Sequence, residues 1–529
     1  MGGSLQMASI NWARWKPLFI FVCWAALCTA IVFHSLKQSL NPDEEIFVAA
    51  AYLAQYLRLY ADFIYLQTPI YPLVLAKLLK LSFGVRPFLI ARLLSAVLAI
   101  GSVVVFFGLA ARLSKSERIA AILASIFASS PLMLLSYGSA RNDIMPIFFG
   151  LCGVGFTLHG LDAERKQFGS YLALFLAGFF MALAVGAKVT AAFIPLSALL
   201  YILLRAKLRL LPLILGGALG SMPIVYYATT AFDKFLYCNA TFHLTQAREY
   251  YTSVGMAEVV TRLYRVKTVL LIWAGEPALV VATLFIAFVA FIGWRRGSLF
   301  HIIGNQLLAD RTFIILLAVT AIPFVFLPSP IGKPYLLPAV PYVLLSCAAL
   351  FPLAQKKFGE RRLALFFVTM ALGVLGLQVG QFVVEAVQHR NRSLWTVTQV
   401  HDLSVLVARH VKDGPVATLY PALVLDAGSL IYPQFATGSF FFRSGDQLAP
   451  ERVLELNGVS PSTLPQVLSV RPPAAVFIGN AGVDRPLLNW AQQNCYVEVD
   501  VSLWDGFYED WWKPRLFVRP DERGPCGNG

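Results

Sequence analysis

Residues 17–45 read PLFIFVCWAALCTAIVFHSLKQSLNPDEE. The first part, to about Phe33, is an apolar run of membrane-spanning length. Arg14 and Lys16 precede it and no small-residue cleavage site follows, so it reads as a retained first helix and not a signal peptide. Pro42 cannot continue a helix, so the chain leaves the membrane there. Asp43, Glu44 and Glu45 follow at once. Acids this close to hydrocarbon are expensive unless they have a task.

The rest of the 529 residues has the same character: 58% are hydrophobic and 14% are charged, against roughly 25% charged in soluble chains. Mean hydropathy is +0.67. The predicted fold class is an α-helical polytopic membrane protein. About eleven apolar runs are long enough to span, at 17–35, 86–111, 119–136, 143–161, 170–187, 189–204, 210–228, 269–293, 312–328, 334–354 and 362–384. The runs on either side of Lys188 almost touch, so one of them is open to reading as a tilted or broken helix. The net charge of +14 sits mostly in short loops, where it acts as an orientation signal and not as a nucleic-acid footprint. Arg14/Lys16, Arg112/Lys115/Arg118, Arg165/Lys166, Arg205/Lys207/Arg209, Arg295/Arg296 and Lys356/Lys357/Arg361/Arg362 fall on alternate connections. That side is expected to be cytoplasmic, with the N-terminus, and an odd number of spans puts the C-terminus outside.

Three segments on the outer side are too long for simple turns: 36–85, 229–268, and 385 to the end. In the first, Ile46–Tyr60 and Tyr71–Leu81 are amphipathic and are expected to lie as interfacial helices. The last alternates short apolar runs (Val416–Tyr420, Ala474–Ile478, Tyr496–Val501) with Gly, Pro and polar residues, and Asp484–Gln493 reads as a short helix. The expectation is a transmembrane module at 1–384 and a C-terminal extracytoplasmic α/β domain at 385–529. Cys495 and Cys526 share this segment, so a disulfide between them is open if the segment faces an oxidising compartment. Around Gly479 there is no GxGxxG pattern to support nucleotide binding. Cysteine and histidine nowhere cluster in the sequence as structural metal sites do.

The chemistry-bearing residues gather on the outer side. Asp43 can serve as an acidic helix N-cap, but a cap does not require three acids. Asp143, in Arg141-Asn142-Asp143, joins the third and fourth spans on the same side and reads as either a helix N-terminal acid or a partner of the first group. Lys188 either snorkels or binds a phosphate as a point charge. Lys333-Pro334-Tyr335-Leu336-Leu337-Pro338 opens the tenth run, with Lys333 and the Tyr335 hydroxyl expected at a pocket mouth. Arg262 and Arg265 are spaced by three, on one helical face, and suit either an interfacial anchor or a lipid phosphate. Glu276 lies within the eighth run and is expected to face protein or a cavity. Outward carboxylates, surface cations and 13% aromatic residues together suit a lipid-linked sugar phosphate as substrate. A carboxylate deprotonates the incoming hydroxyl and cations stabilise the departing phosphate. The transition state would be oxocarbenium-like, and a single displacement would invert the anomeric centre.

At these residues the chain resembles the integral-membrane glycosyltransferases of the GT-C fold, nearest to the dolichyl-phosphate-mannose protein mannosyltransferases and the bacterial aminoarabinose lipid A transferases. Asp43-Glu44 matches the acidic pair of the first outer loop, and Asp143 matches a second acidic position in the next. Gln67-Thr68-Pro69-Ile70-Tyr71-Pro72 is similar to the Pro-rich aromatic element of that loop, which puts Tyr65, Gln67 and Tyr71 at the substrate. Lys188 and the Lys333–Pro338 stretch are similar to recurrent elements of bacterial members. The resemblance spans roughly residues 12 to 350. Within the acidic run, Asp43 is the expected general base, with Glu44 orienting the acceptor or a metal and Glu45 the solvated member. Lys188, Arg262, Arg265, Lys333 and Tyr335 are the expected phosphate ligands. The aminoarabinose transferases carry an acidic-Lys-Pro-Pro element where this chain has Gln67-Thr68-Pro69-Ile70, which argues against that activity and leaves donor and acceptor open. No cofactor is required by this reading, and a divalent metal is left undecided. The implied partners are a polyprenyl-phosphate sugar donor, membrane lipid and a glycan, lipid or protein acceptor, in a bacterial inner membrane with the C-terminal part in the periplasm. The competing classes are a lipid or polysaccharide flippase or transporter, and a glycan ligase using a diphosphate donor. Transporters tend to place charges at the midplane in repeated halves, a pattern not visible here.

Overall fold

The computed structural model describes residues 12–82, 86–162, 167–295, 310–388, 391–411, 413–479, 482–501 and 514–519. The apolar runs all form helix, beginning with Trp12–Lys37 and Pro87–Ser114 and ending with Val340–Phe358 and Glu360–Gln388. Among the described residues, three helices are long and apolar enough to cross a membrane alone, and up to six if each of three bent pairs counts as one span.

Those three pairs fall on the spans expected at 119–136, 210–228 and 269–293, and each is bent. Glu117–Ala128 and Pro131–Tyr137 meet at 61°. Ser130 accepts from Met133 N and starts a new helix there, with Pro131 in its first turn. Lys207–Gly220 and Met222–Thr230 meet at 51°, again before a helix with proline in its first turn. Arg262–Ala274 and Pro277–Phe291 meet at 89° across Gly275-Glu276. Each proline lacks the N–H that an unbroken helix needs and suits a first turn instead. Glu276 is buried at its bend, where it accepts from Leu132 N at 3.0 Å.

The two runs that flank Lys188 are separate helices. Lys188 is extended (φ −157°, ψ 121°) between Gln167–Ala187 and a 3-10 turn leading into Phe193–Arg205.

Two ionic clusters mark opposite ends of the helix Pro87–Ser114. Near its start, fully buried Arg92 pairs with Glu44. Near its end, Arg112 pairs with Asp162 at 2.8 Å and Asp310 at 2.9 Å, and Asp310 also meets Arg205 at 3.3 Å. The two arginines are twenty residues apart, roughly 30 Å along a helix, which matches the hydrocarbon thickness. The basic connections after the helices Pro87–Ser114 and Phe193–Arg205 therefore share one end of the bundle, and the acids of the first loop occupy the other.

The first loop differs from its expectation in one respect. Its helix Glu44–Leu53 is buried at every position but Tyr52. A helix lying in the lipid interface would keep a polar face to water, so this one is an interior element. The helix Ile70–Leu81 does keep two faces, burying Ile70, Tyr71, Leu75 and Leu79 while Lys77 and Lys80 stay outside the core.

The C-terminal part holds a five-stranded sheet in the order β2-β1-β3-β5-β4: β1 is Pro415–Thr418, β2 Leu430–Ile431, β3 Ala475–Ile478, β4 Val497–Val499 and β5 Arg515–Val518. β1 pairs in parallel with β2 and β3, while β5 runs antiparallel between β3 and β4. The period-2 alternation divides its side chains between two cores. Ala417, Val476, Ile478 and Phe517 pack with Leu464, Leu468 and Trp490 in a local cluster. Val416, Ala475, Phe477 and Leu516 join the main cluster, which also contains the bundle helices. The sheet is thus built into the same core as the helices. Cys495 is disulfide-bonded; Cys526, its expected partner, lies outside the described residues.

Candidate functional site

Pro42 turns the chain out of the first helix, and Asp43 becomes the N-cap of Glu44–Leu53 without making a side-chain cap hydrogen bond. Its carboxylate instead pairs through Oδ2 with Arg141 Nη1. Arg141 Nε reaches Asp143 Oδ2 at 2.7 Å, and Asp143 Oδ1 accepts from Lys188 Nζ. The Lys188 ammonium lies over the Tyr335 ring, 4.6 Å from its centroid. Asp43, Arg141, Asp143 and Lys188 form a line of alternating charge that sums to zero. Three different connections supply it, namely the first loop, the Tyr137–Ile144 turn and the break after Ala187, and the entry to Val340–Phe358 supplies the Tyr335 ring.

Exposure ranks the members. The Asp143 side chain is 1% exposed, Lys188 5%, Arg141 10% and Asp43 32%. Asp43 is the carboxylate of this line that meets solvent, and no described contact occupies its Oδ1.

Glu44 departs from its expected role. Its oxygens accept from Arg92 Nε at 2.6 Å and Arg92 Nη2 at 2.7 Å, from Asn41 N at 2.8 Å and from Ala140 N. Its side chain has no solvent exposure. Every acceptor direction is in use, so it holds the first loop to the bundle and has nothing left with which to orient an acceptor or a metal. Glu45 was expected in solvent and is buried instead. Its Oε2 accepts from Ala422 N at 2.7 Å, and its Oε1 has no hydrogen-bond partner. Burial pushes its carboxyl up to about 8, against the help of the Ala422 amide, with the Glu44 charge adding to the rise.

Tyr65 and Tyr71, expected to line the substrate, are fully buried. They pack edge-on against Phe47, with centroids at 6.4 and 5.4 Å, which makes them core. Gln67 is half-buried, and its carbonyl accepts from Tyr60 Oη at 2.6 Å. Lys333 and Arg262 are exposed. Arg265 donates to the carbonyls of Phe326 and Val260 at 3.3 Å each. Among the described contacts, none joins Lys333, Arg262 or Arg265 to the Asp43–Lys188 line.

Sequence reasoning passed over Arg92, Arg141 and His243. Arg92 had a signal, since an arginine inside an apolar run needs an interior partner. Arg141 stood beside Asp143, but nothing local tied it to Asp43. His243 lies on the π-helical turn Tyr237–Gln246 and hydrogen-bonds the Leu66 carbonyl at 2.7 Å through Nε2. Burial lowers its imidazole below the ordinary value, so it is neutral at pH 7. The same turn sends Gln246 Nε2 to the Ser444 carbonyl at 2.8 Å. It thereby ties the first loop to the C-terminal part.

The profile of the family described as dolichyl-phosphate-mannose-protein mannosyltransferase matches residues 59–236. Curated protein sequences give no match. Two solved structures of ArnT from Cupriavidus metallidurans match nearly end to end. The apo form gives a TM-score of 0.59 at 14% identity, covering 96% of this chain and 98% of that one. The form bound to undecaprenyl phosphate gives 0.57 at 14% identity, covering 97% and 98%. Across its length the chain has the GT-C fold of these membrane glycosyltransferases, and residues 59–236 carry a sequence match to the mannosyltransferase family.

Proposed function

We propose that the chain moves a sugar from a polyprenyl-phosphate-linked donor to a hydroxyl of a lipid, glycan or protein acceptor at the outer face of a bacterial plasma membrane. The observation that carries this reading is Asp43: one oxygen is pinned by Arg141, the other is open, and the side chain is the exposed end of a buried ionic line. A general base must be held in place yet reach its substrate. Asp43 takes the proton of the acceptor hydroxyl as that oxygen bonds to the anomeric carbon. The bond from that carbon to the phosphate oxygen breaks, and the polyprenyl phosphate leaves with the electron pair. A single displacement of this kind inverts the anomeric centre. Asp143 and Lys188 act behind Arg141, fixing the guanidinium that positions Asp43.

The undecaprenyl phosphate held by the related ArnT fold supports the choice of donor. The outer location rests on the basic connections at the far end of the bundle. The disulfide at Cys495 supports it, since such bonds persist in oxidising compartments. A transmembrane module at 1–384, a distinct extracytoplasmic part after it and about eleven spans belong to the same reading. Among the described residues no group of three His, Cys, Asp or Glu side chains comes together to hold a metal. The acids of the site face guanidinium or ammonium groups, so no step is routed through a metal.

The test is transfer in nanodiscs, with native membranes as acceptor and labelled undecaprenyl-phosphate-linked mannose or aminoarabinose as donor. Label should reach the acceptor with the natural chain and fall by about 10²-fold or more with Asp43→Asn. Full transfer by folded Asp43→Asn would reject the base assignment. Absence of transfer from every polyprenyl-phosphate donor tried would reject the function.

A further inference from the structure

The proposed reaction must hold one anion, the donor phosphate, whose charge grows as the sugar leaves. Most cations around the first loop already have partners. Arg92 is spent on Glu44, Arg141 on Asp43 and Asp143, and Lys188 on Asp143. Arg265 reaches two backbone carbonyls at 3.3 Å and keeps a buried Nε without a described partner, while Arg262 and Lys333 lie exposed with no aromatic ring described to orient them. Arg443 differs. It follows the short helix Ser439–Phe442, is half-buried, and among the described residues no carboxylate pairs with it.

Its guanidinium is held by aromatic rings from two parts of the chain. Phe440 lies 5.2 Å away in the C-terminal part. Tyr250 and Tyr251 lie 5.1 and 5.9 Å away on the helix Ala247–Ser253 of the second long outer segment. Its one described hydrogen bond is a long one, from Nη2 to Tyr251 Oη at 3.4 Å. Four of its five N–H donors therefore have no described acceptor. Ring faces fix the plane of a guanidinium without consuming its donors. The result is a pre-organised fork of the shape that binds phosphate through two parallel hydrogen bonds. The position fits as well. Gly438, five residues earlier, lies against Glu45, where an added Cβ would sit 3.6 Å from that of Glu45. Ser444, the residue after Arg443, accepts from Gln246 on the turn whose His243 meets the Leu66 carbonyl of the first loop.

We propose that Arg443, set among Tyr250, Tyr251 and Phe440, is the phosphate clamp for the lipid-linked sugar donor. This rests on the transferase reading above and gives the C-terminal part a direct share in donor binding. It also replaces Arg262 and Arg265 in the role the sequence suggested for them. The fork recognises a phosphate carried by a lipid, a diester in the sugar donor and a monoester once the sugar has left, a chemistry shared by a polyprenyl phosphate and by a phosphorylated glycolipid acceptor. The inference commits to the first.

The test measures binding to the full chain in phosphatidylcholine nanodiscs, using undecaprenyl phosphate, undecaprenol and lipid A as probes. The natural chain should bind undecaprenyl phosphate more tightly than undecaprenol. Arg443→Gln should weaken undecaprenyl phosphate binding by roughly tenfold or more, as expected for a charge-assisted pair, and leave undecaprenol unchanged. Arg443→Lys should restore only part of the loss, because an ammonium lacks the fork. It also serves if Arg443→Gln does not fold. Equal binding of undecaprenyl phosphate by the natural chain and the folded variants overturns the clamp while leaving the transferase reading intact. So does a loss confined to lipid A. If the natural chain does not distinguish undecaprenyl phosphate from undecaprenol, the donor reading itself fails, and the clamp with it.

Discussion

Glu44 gives its carboxylate to Arg92 at 2.6 and 2.7 Å, where neither side chain meets solvent. Asp43, one residue earlier, keeps an open oxygen and 32% exposure. The two acids should therefore fail in different ways. Removing one partner of a buried pair leaves the other charge stranded, at about 3–5 kcal/mol. Glu44→Gln is expected to cost stability on that order and to lower the yield of folded protein, read by thermal melting in detergent. Asp43→Asn should melt close to the natural chain and still lose transfer. If the two variants lose stability equally, the division between a holding acid and a reacting acid is wrong. The run Asp43-Glu44-Glu45 was legible in sequence as a place where charge had to serve a purpose. How the purposes divide was not. The partner of Glu44 lies 48 residues away and that of Glu45 lies 377 away, and burial by distant segments leaves no local pattern.

The helices show the same divide at the next scale. Apolar runs located them, because hydrocarbon length and backbone hydrogen bonding leave little choice. The bends followed from single residues, such as Ser130 as a new cap and Pro277 after Gly275-Glu276, which hydropathy averages away. Interhelical contact was also hidden. The helices Gln167–Ala187 and Leu210–Gly220 cross so closely that a Cβ on Gly178 would sit 1.9 Å from the Leu213 carbonyl oxygen. A Cβ on Gly216 would sit 1.8 Å from that of Phe175. Backbone cannot yield as a flexible side chain can, so Gly216→Ala must part the helices. The expected loss is about 1–3 kcal/mol, typical of overpacking. Gly217 is its control. A Cβ there meets nothing nearer than 3.8 Å, so Gly217→Ala should leave the melting temperature nearly unchanged. Equal melting of the two variants would show that the close crossing does not exist in the membrane.

Across the whole molecule, the C-terminal part packs on the bundle through the shared apolar core, and a few polar ties add to it at the first loop and the second long outer segment. Gln246 reaches Ser444, and Asn457 Nδ2 reaches the Ala61 carbonyl at 2.8 Å. Arg452 meets Asp233 at 2.7 Å, and Glu45 accepts from Ala422 N at 2.7 Å. The Arg452–Asp233 pair is exposed and contributes little. Glu45 is buried, and its proton sets the strength of the tie. An unfolded or undocked chain releases that proton near 4.5, whereas the docked chain holds it to about 8. Between those values the docked state binds more protons, so its stability falls as pH rises from about 4.5 to about 8 and is flat outside that window. A shift of this size is worth on the order of several kcal/mol. Proteolysis of the C-terminal part at a series of pH values reads it: cleavage should accelerate as pH rises through the window. Glu45→Gln keeps an acceptor for the Ala422 amide and cannot ionise, so its cleavage rate should stay at the low-pH value throughout. If the natural chain and Glu45→Gln respond to pH alike, Glu45 does not govern docking. If the response belongs to Glu45 alone, one neutral carboxyl adds to the apolar packing that holds down the segment supplying Arg443.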